Sequence, residues 1–247
     1  MNLKNTEIYR HVKHFEKKIR HIFKPSCEEI FDKCIKANQH DKFFFVQIGA
    51  NDGLTDDPIN HFIDEYDWSG ILVEPLEDLM DKLKKTYSNS SNLIFVNSAI
   101  SPDKELDSIK RVNPEVDLKE IDTKLVQGLA SLTPGKNILD KDKSASIFGK
   151  ELSEIIHENI IEEKIDVISF SELIEKYKIK EIDLLQIDVE GYDFTIINSI
   201  DFSVCKPRII HTEFYNLYEE EKIAYINLLT ANNYQILYNK KDILAVL

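Results

Sequence analysis

Apolar positions recur at helical spacing near the start of the chain and then switch between strand-like runs and helical stripes. Ile8, Val12, Phe15, Ile19 and Ile22 lie three or four residues apart and predict a helix over 5–23, which Pro25 stops. A second helix is expected over about 26–39, with Ser26 as its cap and Glu28 and Glu29 in a first turn that favours acids. These two helices form an expected N-terminal extension, residues 1–40, ahead of a main domain over 41–247.

The main domain opens with FFFVQIG, a buried-strand run ending at Gly49. Thr55, Asp56, Asp57 and Pro58 read as a helix start, continued by Ile59, Phe62, Ile63 and Tyr66. A strand at Gly70–Val73 is stopped by Glu74 and Pro75; a helix over about Glu77–Tyr87 and a strand at Leu93–Val96 follow. Strand, helix, strand, helix, strand implies right-handed crossovers and a parallel sheet.

Residues 102–160 break this rhythm with high charge and few strand runs, and read as an insertion: either a lid carrying acceptor contacts, with Ser131 and Thr133 as candidates, or a loose surface excursion. Order returns at Ile165. Ser169 and Glu172 have the spacing of a capping box opening a helix to about Tyr177. A strand at Ile182–Ile187, a helix over 192–199, a strand at Arg208–Thr212 and a helix over 217–232 lead to a terminal hairpin of Tyr234–Tyr238 with Ile243–Leu247. An antiparallel pair ending a parallel sheet is common in mixed α/β folds.

Charge narrows the classes of partner. A net charge of −13 on 247 residues repels phosphate backbones, so nucleic acid is not expected as substrate, although Lys13 to Lys24 is locally basic. No apolar run is long enough to span a membrane and the N-terminus has no apolar signal core, so a cytoplasmic protein is expected. The three cysteines, Cys27, Cys34 and Cys205, form no CxxC pair, which fits a reducing compartment and gives no zinc motif.

Candidate chemistry clusters where strands end. Gln47, Gly49, Ala50, Asn51, Asp52 and Gly53 follow the first strand, where glycines let a ligand approach the backbone. This is not the GxGxxG cradle of dinucleotide enzymes, so a cofactor without a diphosphate is favoured. Glu74, about 20 residues further on at the second strand's end, is placed to accept hydrogen bonds from ribose hydroxyls. Ser98 and Ala99, just past the third strand, sit where an adenine would lie, although turn chemistry explains them equally well. Asp188 and Glu190 stand beside Gly191; a cationic cofactor, a general-base task or a divalent metal would each offset two close carboxylates. His211 and Glu213 share one face of an extended segment, with His211 a candidate base and Glu213 a candidate for substrate binding or orientation.

In their order and spacing, the segments VQIGANDG, GILVEP, NSAIS, DLLQIDVEGYDF and PRIIHTEF resemble the FkbM-type methyltransferases, over about residues 43–247. The resemblance implies a Rossmann-like class I methyltransferase fold, with a seven-stranded, mostly parallel sheet, and S-adenosylmethionine as cofactor. It also implies O-methylation of a sugar or other small polar hydroxyl compound. Carried over to this chain, Gly49, Ala50, Asn51 and Gly53 take the loop beside the cofactor's methionine. Glu74 takes the ribose, Ser98 and Ala99 the adenine neighbourhood, and Asp188 the methionine or the reacting centre. Many relatives have an acid where this chain has Gln47, so Asp188 is the alternative source of charge for the cofactor's ammonium. Asp188, Glu190 and His211 remain unranked as the base, and a Mg²⁺ held by Asp188 and a neighbour is the less favoured route. The sequence leaves open a homo-oligomer and two rival readings: an NAD(P)-dependent nucleotide-sugar oxidoreductase, from the YxxxK spacing of Tyr218 and Lys222, and a non-catalytic nucleoside-binding module of the same fold.

Overall fold

The structure, a computed structural model, describes residues 27–116, 130–133, 135–137 and 139–247. The helix expected over 5–23 and the Ser26 cap lie outside the described residues. The chain divides into two compact units, Met1–Gln39 and His40–Leu247. In the first, α1 (Cys27–Ala37) carries Glu28 and Glu29 in its first turn and Lys36 in its last, matching both ends of the helix dipole.

The second unit is built on one mixed sheet. Its strands are β1 (Phe44–Ile48), β2 (Ser69–Val73), β3 (Leu93–Val96), β9 (Leu184–Ile187), β10 (Ile209–Glu213), β11 (Gln235–Tyr238) and β12 (Asp242–Val246). Their spatial order is β11-β12-β10-β9-β1-β2-β3. The five strands from β10 to β3 run parallel, and β12 runs antiparallel between β10 and β11. This is the seven-stranded α/β arrangement of class I methyltransferases. Helices α2 (Asn60–Tyr66), α3 (Glu77–Thr86), α6 (Phe170–Tyr177), α7 (Asp193–Asn198) and α8 (Glu219–Ala231) connect the strands. Val46, Ile48, Ile71, Val73, Leu185, Ile187 and Ile210 from the sheet pack with Leu173, Ile196, Ile197, Tyr225 and Leu229 from the helices. Burial of such side chains, about 1.5–3 kcal/mol each, drives the layering.

Register decides where the site falls. Ile48 lies opposite both Val73 and Ile187, and Thr212 lies opposite Ile187. The residues that follow, Gly49, Glu74, Asp188 and Glu213, therefore leave the sheet side by side at its carboxyl edge. Glu213 is in turn paired with Asp242 at the start of β12.

Three expectations need correction. The insertion is not a loose excursion: β5 (Ser108–Val112) pairs antiparallel with β6 (Ala130–Ser131) and with β7 (Ile160–Lys164). Among the described residues it also carries two helices, α4 (Lys141–Phe148) and α5 (Lys150–Glu158), and Val112, Leu139 and Ile156 cluster in a small core. Its ends are joined by a ladder of β4 (Ala99–Ile100) with β8 (Val167–Ile168), so it spans about 101–166 rather than 102–160. That ladder also makes Ala99 a strand residue rather than part of a turn, one of the two readings its position allowed. Finally, α2 starts at Asn60, not at Thr55, because Asp57 accepts from the Ile59 and Asn60 amides (2.8 and 3.1 Å) and Asp52 holds Thr55 and Leu54 in a loop. No helix among the described residues is long and apolar enough to cross a membrane.

Candidate functional site

The loop after β1 is held by main-chain bonds to its neighbours: the Gly49 and Ala50 amides both donate to the Val73 carbonyl at 3.0 Å. Gly49 has φ +80°, and a β-carbon there would strike the Asp188 carbonyl oxygen. Gly53 faces Leu83 and Tyr87 of α3, 2.8 Å from where its β-carbon would be. Both glycines therefore answer first to the protein's own packing, a reason the sequence alone does not separate from close approach of a ligand. Asp52 is likewise a loop former. Burial opposes its charged form, but donors at Thr55 and Leu54 outweigh that and lower its pKa.

Glu74 is buried, and both its oxygens are engaged: Oε2 accepts from the Asn51 amide and Oε1 from the Leu76 amide, each at 3.0 Å. Burial pushes its carboxyl up to about 7, against those two bonds and the nearby Arg111 charge. Each oxygen accepts more than one hydrogen bond, so the group retains capacity for hydroxyls. Asn97 fixes this turn by donating to the Glu74 and Pro75 carbonyls, both at 2.9 Å. Buried Ser98 donates to the Asn97 carbonyl at 2.7 Å. A polar groove of about 310 Å³ opens alongside, between Pro75 and Asn97 and the insertion residues Glu163, Lys164 and Asp166.

Gln47 is buried one residue before the strand tip. Its Nε2 donates to Asp57 Oδ2 at 3.1 Å, while its Oε1 has no hydrogen-bond partner among the described residues. An unmet acceptor at such a position is costly unless a donor arrives.

On the other side of Gly49, Asp188 follows β9 at the carboxyl edge, with part of its surface open to water. Desolvation, then Asp242, Asp57 and Asp56, raise its pKa to about 6. Glu190 adopts φ +55°, a left-handed conformation unusual for a residue with a side chain. Asn216, which sequence reasoning missed, secures it: its Nδ2 donates to Glu190 Oε2 at 3.1 Å and to Glu213 Oε1 and Oε2 at 3.1 and 3.0 Å. From the insertion, Ser131 Oγ donates to the Glu190 carbonyl at 3.0 Å and Lys136 Nζ to the Gly191 carbonyl at 3.2 Å. Burial, with Asp188 beside it, raises Glu190 to about 8; burial and the surrounding acids raise Glu213 to about 10. Asp193, also missed, is fully buried with its pKa raised by burial and by Asp188, and its Oδ1 lacks a partner. At neutral pH this cluster therefore keeps protons on several carboxyls and leaves Asp188 as the group that ionises first.

His211 departs from the role its position suggested. It lies inside β10, buried, with Nδ1 at 2.7 Å from Gln186 Oε1. Burial lowers its pKa to about 4, so the imidazole is neutral and tied to a core amide. Tyr218 and Lys222 also have other partners: Lys222 pairs with Glu219 at 2.9 Å and lies over the Phe214 ring, while Lys136 lies over the Tyr218 ring. Among the described residues no three His, Cys, Asp or Glu side chains are grouped to hold a metal ion.

A family model described as the methyltransferase FkbM domain matches residues 47–236. The chain belongs to the FkbM methyltransferase family. That family is one of S-adenosylmethionine-dependent methyltransferases. Among solved structures, this FkbM chain is similar to the methyltransferase FkbM of Methylobacillus flagellatus KT, at 12% identity and a TM-score of 0.48, covering 85% of this chain and 45% of that one. It thus spans less than half of that protein's length. It is also similar to a precorrin-6y C5,15-methyltransferase of Geobacter metallireducens GS-15 (10% identity, TM-score 0.41, 85% and 82% covered). A third similar structure is Aeropyrum pernix fibrillarin, solved with natively bound S-adenosyl-L-methionine (11% identity, TM-score 0.41, 84% and 67% covered). No curated protein matches the chain.

The residues at the carboxyl edge suit that cofactor. A buried carboxylate with spare acceptor capacity at position 74 meets the chemistry of vicinal hydroxyls. An orphaned amide oxygen on Gln47 and a set of carboxyls short of cations meet that of an ammonium and a sulfonium.

Proposed function

We propose that this FkbM methyltransferase O-methylates a sugar or another small polar hydroxyl compound, using S-adenosylmethionine, within a catalytic unit over 41–247. The observation that carries the reading is the alignment of Gly49, Glu74, Asp188 and Glu213 along one carboxyl edge.

In this reading the Gly49–Gly53 loop lies along the cofactor's methionine end. Glu74 accepts from the ribose hydroxyls, and Ser98 and Ala99 border the adenine. Gln47 Oε1 receives the ammonium. When bound, the cofactor supplies an electrophilic methyl on a good leaving group. The chain's own work is then alignment and proton removal. Asp188, ionised at neutral pH, takes the acceptor hydroxyl's proton. Glu190 and Glu213, held by Asn216 and largely protonated, orient the acceptor. Orientation of this kind contributes up to about 7–11 kcal/mol and a positioned base about 10²–10⁴-fold.

The test has two steps. Calorimetry with S-adenosylhomocysteine and with NADPH separates this reading from the oxidoreductase one; binding of NADPH alone overturns it. Labelled methyl transfer to a panel of neutral sugars and amino sugars, with the product mapped by NMR, then distinguishes O- from N-methylation and an enzyme from a binding module. Asp188→Asn should lose at least about 100-fold in turnover with cofactor binding retained; unchanged turnover removes Asp188 from the chemistry.

A further inference from the structure

The insertion brings one buried cation to the cofactor side of the sheet edge. Arg111, in β5, is 1% exposed. Its Nη1 and Nη2 donate to Asp78 Oδ1 and Oδ2 at 2.6 and 3.2 Å, and Nη1 also reaches Glu163 Oε2 in β7 at 3.2 Å. Asp78 belongs to the first turn of α3, four residues beyond Glu74. The same turn is covered by apolar contact, because Leu76 and Leu79 cluster with Ile109 of β5 and with Leu132 and Ile165. Leu76 is also the residue whose amide holds Glu74 Oε1. The guanidinium thus joins the insertion to the start of α3, and the Leu76 amide joins that turn to the Glu74 carboxylate.

The charges around Glu74 have opposite effects on it. Arg111 favours its ionised form and Asp78 disfavours it. Asp78 itself is held charged chiefly by Arg111, with help from Lys82. Loss of Arg111 would leave Glu74 buried beside the Asp78 charge, with the Asn51 and Leu76 amides to support its own charge.

We propose that Arg111 is a positioning residue for cofactor binding: by pairing with Asp78 and Glu163 it locks the insertion onto the turn that carries Glu74 and sets a positive charge beside that turn. The proposal rests on Glu74 as the acceptor for the ribose hydroxyls. No residue of the insertion had been assigned a part in holding the cofactor.

The experiment is calorimetric titration of S-adenosylhomocysteine into the full chain between pH 6 and pH 9. The variants are Arg111→Met, Arg111→Lys, Asp78→Asn and Glu74→Gln, each checked for native circular dichroism. Arg111→Met should weaken binding about tenfold at pH 7, the equivalent of one pKa unit, and recover most of it at pH 9, where Glu74 ionises regardless. Arg111→Lys, which keeps the charge, should keep the wild-type pH profile. Asp78→Asn should extend tight binding to lower pH. Glu74→Gln should bind weakly at every pH. If Arg111→Met loses the same factor at all pH values, or binds like wild type while Glu74→Gln does not, Arg111 has no such role. If Glu74→Gln binds like wild type, the ribose reading of Glu74 fails first and takes the proposal with it. If Arg111→Met does not fold, Asp78→Asn decides: an unchanged pH profile overturns the proposal.

Discussion

The main chain of Gly49 passes so close to Asp188 that a β-carbon on Gly49 would sit 1.8 Å from the Asp188 carbonyl oxygen. The contact joins the tips of β1 and β9, and every candidate site residue is placed relative to it. Gly49→Ala should therefore destabilise the chain by at least about 2 kcal/mol, since overpacking and a positive φ act together. Gly149 is the control. It has φ +85° and ψ 164° but nothing within 4 Å of its β-carbon among the described residues, so Gly149→Ala should show the backbone penalty alone, about 1–3 kcal/mol. Urea unfolding of both variants measures the difference. Equal losses would mean that the strand tips can part without cost.

The strands of this sheet were legible because each is a short apolar run cut off by Gly, Pro or an acid. VQIG, LVEP and LQID mark three neighbouring tips directly, and their neighbourhood follows from crossover rules. Other features were not legible because they depend on pairing between distant segments. Ser108–Val112 and Ile160–Lys164 carry runs of adjacent charges, Lys110–Arg111 and Glu162–Lys164, and pair with each other as strands. Asn216 reads as a loop residue until β10 and the Glu190 turn converge on it. His211 misled because a histidine near a strand end looks the same whether it faces the cleft or Gln186.

Asn216 holds two carboxyl groups that would otherwise repel each other, and it supports the left-handed turn at Glu190. Asn216→Ala removes donors from both, so stability should fall by about 1–3 kcal/mol, the penalty for unmet buried polar groups. Turnover should fall further than stability does, because Glu190 and Glu213 lose their fixed geometry. Asn216→Asp, nearly isosteric, adds a third acid in place of the donor and should be worse than alanine at pH 8. Comparing urea unfolding with turnover for the two variants checks this. If Asn216→Asp were neutral in both, Asn216 would not be acting as a donor.

His211→Gln tests the reassignment of the base. An imidazole held by Gln186 inside the sheet, with its pKa lowered by burial to about 4, is a weak proton acceptor. The variant should retain turnover within about fivefold and leave the pH profile unchanged, whereas loss of a true general base would lower the rate by about 10²–10⁴. A large drop in turnover with native folding and cofactor binding would restore His211 as the base.

The raised carboxyls also predict how stability responds to pH. Glu190 and Glu213 titrate near 8 and 10 in the folded chain, against an ordinary value of 4.5. Between pH 4.5 and about 8 the folded protein thus holds protons that the unfolded chain has released. By linkage, stability must fall as pH rises through that window, the reverse of the usual salt-bridged carboxylate. Glu213→Gln keeps the shape and the hydrogen-bonding capacity but removes the titration. Its melting temperature should match wild type at pH 5 and exceed it at pH 8, each kcal/mol appearing as about 2–4 °C in a chain of this size. Scanning calorimetry at the two pH values makes the comparison. A wild type that gains stability over the same range relative to Glu213→Gln would mean that cations neutralise the cluster, and Asp188 would then lose its place as the first of these acids to ionise.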